Sequence, residues 1–337
     1  MTKELPDRRT VKKELIVFLA LTFGATYLLE LAGISMYGSG ILANKLVLIP
    51  MYIPAVAAIL CMVYFNSPAL TREAKIFLAS FLVASAVSLV EGLYQPLLGT
   101  IGPLPLCTVV VSVAAFLVVV IQNLNKPWRV NLSPARLSVG KNYRYYLCLS
   151  VIFAALFILG LLISYYAGLA LPAQEFNPGM FFTFMGIYLL TFFAAWPKYF
   201  GEEYGWRFYL QDRMFALFGG YKGVILVGLI WGLWHLPLSL VGMNFPANLV
   251  TGNLVYLVYA IVVGITFSYA VLKTSSIWAA VLLHAITDSL VVVGYPYLAN
   301  GQILVAFLPL LVLLGVLAAV LLRSKIWIEE CPLPASP

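Results

Sequence analysis

Charge is what this sequence has least of. Only 10% of its 337 residues are charged, and 63% are hydrophobic. The mean hydropathy is +0.98. An ordinary soluble domain is about 45–50% apolar and about 25% charged. The scarcity excludes a soluble globular fold, a disordered chain and a nucleic-acid-binding domain. Cysteine is scarce as well: Cys61, Cys107, Cys148 and Cys331 lie far apart with no CxxC spacing. That excludes a disulfide framework and a cysteine metal site. Histidine is scarcer still, with two residues, His235 and His284. The formal charge is +7, but the basic residues fall between apolar segments. This placement suits loops facing anionic headgroups, not a nucleic-acid surface.

Long hydrophobic runs are plentiful. Ten apolar segments, at about 15–38, 46–65, 74–98, 104–122, 145–170, 180–201, 222–242, 252–272, 277–296 and 302–322, are separated by breakers such as Asn66-Ser67-Pro68 and Asn177-Pro178. The first is longer than a signal-peptide core and is read as a retained helix. Runs such as VVVSVAAFLVVVI do not alternate, which excludes a barrel and leaves helices. The expected fold is an all-α polytopic transmembrane bundle of eight to ten spans. Nineteen of the 20 basic residues fall on one side if both termini are cytoplasmic, Lys45 being the exception. Pro197 predicts a kink or restart, with 198–216 forming a separate helix. The expected organisation is a cytoplasmic N-terminus (1–14), motif-free membrane helices (15–170), a polar core (180–323) and a cytoplasmic tail (324–337). The expected location is the cytoplasmic membrane.

Ionisable residues at membrane depth are functional candidates by default. They concentrate in GEEYGWR (201–207), WGLWHLP (231–237) and LHAITD (283–288). On a helix, Glu203 and Arg207 are four residues apart and share a face. Glu202 is turned by about 100° from Glu203 and is free for other work. His284 and Asp288 again share a face, and His235 lies one turn after Trp231. Glu30 and Glu91 have no patterned partner and read as structural. Glu202, His235, His284 and Asp288 are expected to meet in one cavity opening toward the cytoplasm. A carboxylate with an imidazole activates water, and a second imidazole stabilises an oxyanion. The same four groups also suit zinc.

Glu-Glu-x3-Arg, an aromatic-x3-His helix and His-x3-Asp together resemble the CAAX prenyl endopeptidase and bacteriocin-processing (abortive-infection) family. The resemblance covers roughly residues 180–300. It departs at Trp231, where phenylalanine is usual, and at Asp288, where many members carry asparagine. It implies an intramembrane endopeptidase. Glu202 would be the catalytic carboxylate, assisted by His235. Glu203 and Arg207 would be a supporting pair, and His284 and Asp288 would stand at the oxyanion position. The implied partners are membrane lipid and a membrane-associated or lipidated peptide. A metal-free mechanism is expected, since the residues following His235 lack a polar side chain to fix its ring. Zinc held by Glu202, His235, His284 and Asp288 is the alternative. A non-catalytic immunity or scaffold protein and a proton-coupled transporter are the competing classes. The motif-free first half argues against the transporter.

Overall fold

The computed structural model describes residues 7–37, 45–98, 102–170, 172, 174–240, 249–298 and 303–329. Its described residues form helices and no strand. The chain starts with α1 (Arg8–Tyr37), a 3-10 segment (Lys45–Tyr52), α2 (Ile53–Tyr64), α3 (Arg72–Leu98), α4 (Leu104–Leu124), the short α5 (Lys126–Leu132) and α6 (Arg144–Tyr166). It continues with α7 (Pro178–Leu190), α8 (Phe192–Glu203), a π-helical turn (Tyr204–Leu210), α9 (Gln211–Phe218), α10 (Gly220–Trp234), α11 (Leu236–Leu240), α12 (Leu249–Thr274), α13 (Trp278–Leu298), α14 (Ile303–Leu322) and α15 (Ile326–Glu329). Side-chain caps open several helices. Asp7 accepts from the Arg9 and Thr10 amides, Asn125 from Trp128, and Asn177 from Met180.

Among the described residues, eight helices are long and apolar enough to cross a bilayer, and nine if one bent pair counts as a span. This lies within the expected range, but two segments differ from expectation. Segment 46–65 is not one long helix. Its first part is wound as a 3-10 helix containing Pro50. Its apolar helical part, Leu48–Tyr64, is shorter than the eight candidate spans. The break expected at Pro197 lies instead at Thr191, where α7 and the helix beginning at Phe192 are bent by 72°. The Thr191 hydroxyl donates to the Tyr188 carbonyl at 2.7 Å, a local bond that competes with the helical ladder. Pro197 sits inside α8, where it removes one backbone hydrogen bond without ending the helix.

The motif-free helices pack directly on the motif-bearing ones. Phe77 of α3 meets Phe200 of α8 edge-on at 5.2 Å, and the Trp196 indole donates to the Ser112 carbonyl of α4 at 2.9 Å. On α1, Thr26 accepts from the Trp234 indole at 2.8 Å and Tyr27 donates to the Leu233 carbonyl at 2.9 Å. Glu30 and Glu91 are both buried. The Glu30 carboxylate has no hydrogen-bond partner among the described residues, and nothing in the structure explains why it is there.

The basic-residue count needs one correction. Arg207 is fully buried and Lys198 mostly so, both within the bundle and not in a loop. Arg213, on α9, is buried as well and pairs with Glu14 of α1 at 2.8 Å. With both termini cytoplasmic, single cysteines at Ser133 and Asn177 should react with an impermeant reagent from opposite sides of the membrane. Labelling from the same side would refute this topology.

Candidate active site

Two glycines place the glutamate doublet. A methyl group on Gly201 would collide with the Met51 carbonyl, and one on Gly205 with Pro54. Lacking a Cβ, both let the end of the 3-10 segment and the start of α2 lie against the helix backbone. Gly201→Ala should therefore cost about 1–3 kcal/mol by overpacking. Thermal unfolding in detergent would show this as a lower midpoint, and an unchanged midpoint would mean the contact can relax. Immediately after Glu203 the helix widens into the π turn, a feature frequent at functional sites.

The doublet divides as the helical spacing predicts. Glu203 accepts from Arg207 Nη1 at 3.1 Å through Oε1, and neither side chain is exposed. The same oxygen stands 2.8 Å from His284 Nδ1. Glu203 thus joins α8 to α13 as well as holding the arginine. Arg207 lies between two rings, with its guanidinium carbon 4.2 Å from the Trp231 ring centroid and 5.3 Å from Phe267. A desolvated cation over an aromatic face gains ~2 kcal/mol or more, which offsets part of the cost of burying it. Glu202 points elsewhere and accepts from the Trp231 indole Nε1 at 2.7 Å.

The two histidines have different surroundings. His235 follows the end of α10, and its Nδ1 is 2.9 Å from the Trp231 carbonyl. A carbonyl only accepts, so Nδ1 carries the proton. In the neutral ring, Nε2 is then left as the acceptor. This corrects the expectation that nothing near His235 fixes its ring, because a backbone carbonyl does so. His284 faces a carboxylate on each side. Nδ1 meets Glu203, and Nε2 lies 3.6 Å from Asp288 Oδ1. Thr287 takes no part, since its hydroxyl donates to the Leu283 carbonyl. Asp288 is the most exposed of the acidic groups, with one third of its side chain accessible, and its Oδ2 is 3.9 Å from Lys198 Nζ.

Trp231 is the centre of the arrangement. Its ring lies 5.6 Å from the His235 ring and 5.8 Å from the His284 ring, in addition to its contacts with Glu202 and Arg207. Glu202, His235 and His284 are therefore brought around one indole. Asp288 stands at the edge of the group and reaches it through His284. Among the described residues, no three His, Cys, Asp or Glu side chains are grouped so as to hold a metal ion. Sequence reading missed Lys198, although its spacing of four residues before Glu202 puts it on the same helical face. It also missed the aromatic walls formed by Tyr199, Tyr256 and Phe267, which contact the histidine rings at 5.4, 4.9 and 5.9 Å. Single aromatic residues among so many apolar ones carry no sequence signal.

A multi-pass helical bundle holding glutamate, histidine and arginine around a buried tryptophan defines a class of candidate membrane enzymes. Comparison with known proteins narrows it. Residues 179–290 match the family described as Type II CAAX prenyl endopeptidase Rce1-like. A protein called CAAX prenyl protease 2, from Methanococcus maripaludis, is 28% identical over 137 residues. That alignment takes in 39% of this chain and 49% of the relative, so the chain spans about half the length of the curated relative it matches. The resemblance carried by the three motifs is thus borne out over the segment that contains all of them.

Proposed function

We propose that this chain is an intramembrane endopeptidase that hydrolyses a peptide bond in a membrane-associated or lipidated hydrophobic peptide. The observation that carries the reading is the division of labour around Trp231. Glu202 has one oxygen engaged by the indole, which leaves the other to take a proton from water. His235, with Nδ1 tied to a backbone carbonyl, presents Nε2 as a second acceptor for that water. His284 is placed to donate: with Nδ1 donating to Glu203, its ring acts as an imidazolium, and as attack builds negative charge on the substrate carbonyl oxygen Nε2 donates to that oxygen, the Asp288 carboxylate lying 3.6 Å from the same nitrogen. In its ionised form Asp288 accepts hydrogen bonds and does not donate them, so it orients His284 and does not itself stabilise the oxyanion. The proton held by Glu202 then passes to the leaving amine. Glu203 and Arg207 hold His284 in place and do not touch substrate. The family match supports prenylated peptides as the first substrates to try. A cleavage assay on farnesylated and unmodified peptides, with wild type and Glu202→Ala side by side, tests the proposal. Cleavage by neither protein, or by both equally, would refute it.

We favour water activation without a resident metal, because the acidic groups and histidines are spread around the indole and not gathered on one point. Protein purified without added metal should contain well under one zinc ion per chain, and its activity should survive a strong chelator. His235 held by a backbone carbonyl is also how a zinc-binding histidine is commonly oriented. Stoichiometric zinc, with activity lost on chelation and restored by zinc, would therefore replace the glutamate mechanism with a metal-dependent one.

A further inference from the structure

One residue of the motif-free half reaches both helices that carry the site. Arg136 lies just after the 3-10 turn Ser133–Ala135, in the connection between α5 and α6. Its φ of 53° is in the left-handed region, which costs a non-glycine residue energy and is retained where the surroundings demand it. From that conformation it makes three attachments. Nη1 donates to the Arg207 carbonyl within the π turn at 3.2 Å. Nη2 pairs with the buried Asp212, one turn further along, at 3.0 Å. Its own carbonyl accepts from Ile277 N at 2.9 Å, at the start of α13. The side chain therefore holds the helix that carries Glu202 and Glu203, and the backbone holds the helix that carries His284. Neighbouring bonds strengthen this second attachment. Ser276 Oγ donates to the Ser138 carbonyl at 2.6 Å, the Trp278 indole to the Leu137 carbonyl at 2.9 Å, and the Lys141 amide to the Thr274 carbonyl at 2.7 Å.

We propose that Arg136 is a positioning residue for the reaction, setting the register between the π turn and α13 that brings Glu203 Oε1 against His284 Nδ1. The inference rests on the proposed endopeptidase activity for its kinetic consequence, but not for its structural one. The guanidinium fork is suited to the role because one planar group reaches a carbonyl and a carboxylate together. It touches no reacting atom and acts through the helix backbone.

The cleanest test is Arg136→Gly. Glycine accepts the left-handed conformation and keeps the carbonyl bond to Ile277, so only the fork is removed. The expected result is a fall in kcat of ~10- to 100-fold, the scale of small misplacements of catalytic groups, with KM within about twofold. The chain has two histidines, so 15N-histidine labelling yields two sets of ring signals, assigned with His235→Gln. In Arg136→Gly the His284 signals should shift while those of His235 stay. Arg136→Lys keeps the charge and one donor, and should give an intermediate kcat. It also decides the matter if the glycine variant does not fold. Either folded variant with wild-type kcat and wild-type His284 signals overturns the proposal. If the wild type hydrolyses no peptide, the functional reading fails by itself, and the His284 signals still decide whether Arg136 sets the register.

Discussion

Glu202→Gln is expected to lower kcat by about 10²–10⁴-fold, the contribution typical of a positioned general base, while leaving the fold intact. Glutamine keeps the size of the side chain. Its carbonyl oxygen can still accept from the Trp231 indole, which donates to the carboxylate at 2.7 Å in the native protein. What it loses is the ability to take a proton from water. Circular dichroism and the thermal midpoint in detergent should therefore match the wild type while peptide cleavage disappears. Full activity in a folded Glu202→Gln protein would remove this residue from the mechanism and move the role of base to His235.

The neighbouring substitution should behave in the opposite way. Glu203→Gln leaves Arg207, fully buried and held 3.1 Å from the carboxylate, without its counter-ion. Removing one partner of a buried pair costs ~3–5 kcal/mol, a large share of the 5–15 kcal/mol by which a typical domain is stable. The two flanking rings cannot replace the carboxylate, and His284 Nδ1, 2.8 Å from the same oxygen, then faces a neutral amide instead of an anion. Poor expression, or a midpoint depressed by many degrees, is the expected outcome. A Glu203→Gln protein as stable as the wild type, but inactive, would exchange the roles assigned to the two glutamates.

The architecture was legible because a bilayer leaves few choices. Apolar runs of about twenty residues must be helices, and within the described residues the predicted runs fall on observed helices, apart from the 3-10 winding at Lys45–Tyr52 and the bend at Thr191. The Glu203–Arg207 pair was legible for the same reason, since spacing of four on a helix fixes proximity. The bend was not. Pro197 is the stronger sequence signal, yet the chain turns at Thr191, and Pro197, in the second turn of the helix that begins at Phe192, is accommodated inside it. The partners of the histidines were hidden too. The contact between Glu203 and His284 spans 81 residues and depends on how α8 and α13 pack, which no local pattern encodes. The Trp231 carbonyl that fixes His235 is backbone, and sequence reading that weighs side chains overlooks it. Arg136 was counted only as a loop charge, because its role depends on a left-handed backbone and a neighbour 71 residues away.

The position of Trp231 has a consequence for any mutational dissection of this site. One indole donates to Glu202, lies under Arg207, and borders both histidine rings. Substituting any of these residues therefore disturbs a surface that the others share. Losses measured one at a time will not add up, because groups that act as a unit forfeit most of their joint effect when the first of them is removed. Combining Glu202→Gln with His235→Gln should cost little more than the worse of the two alone. Trp231→Phe keeps the stacking but deletes the proton donated to Glu202, so it should alter how strongly the remaining pairs depend on one another. The quantity to compare across variants is thus the pairwise coupling energy, with Trp231 present and with it replaced.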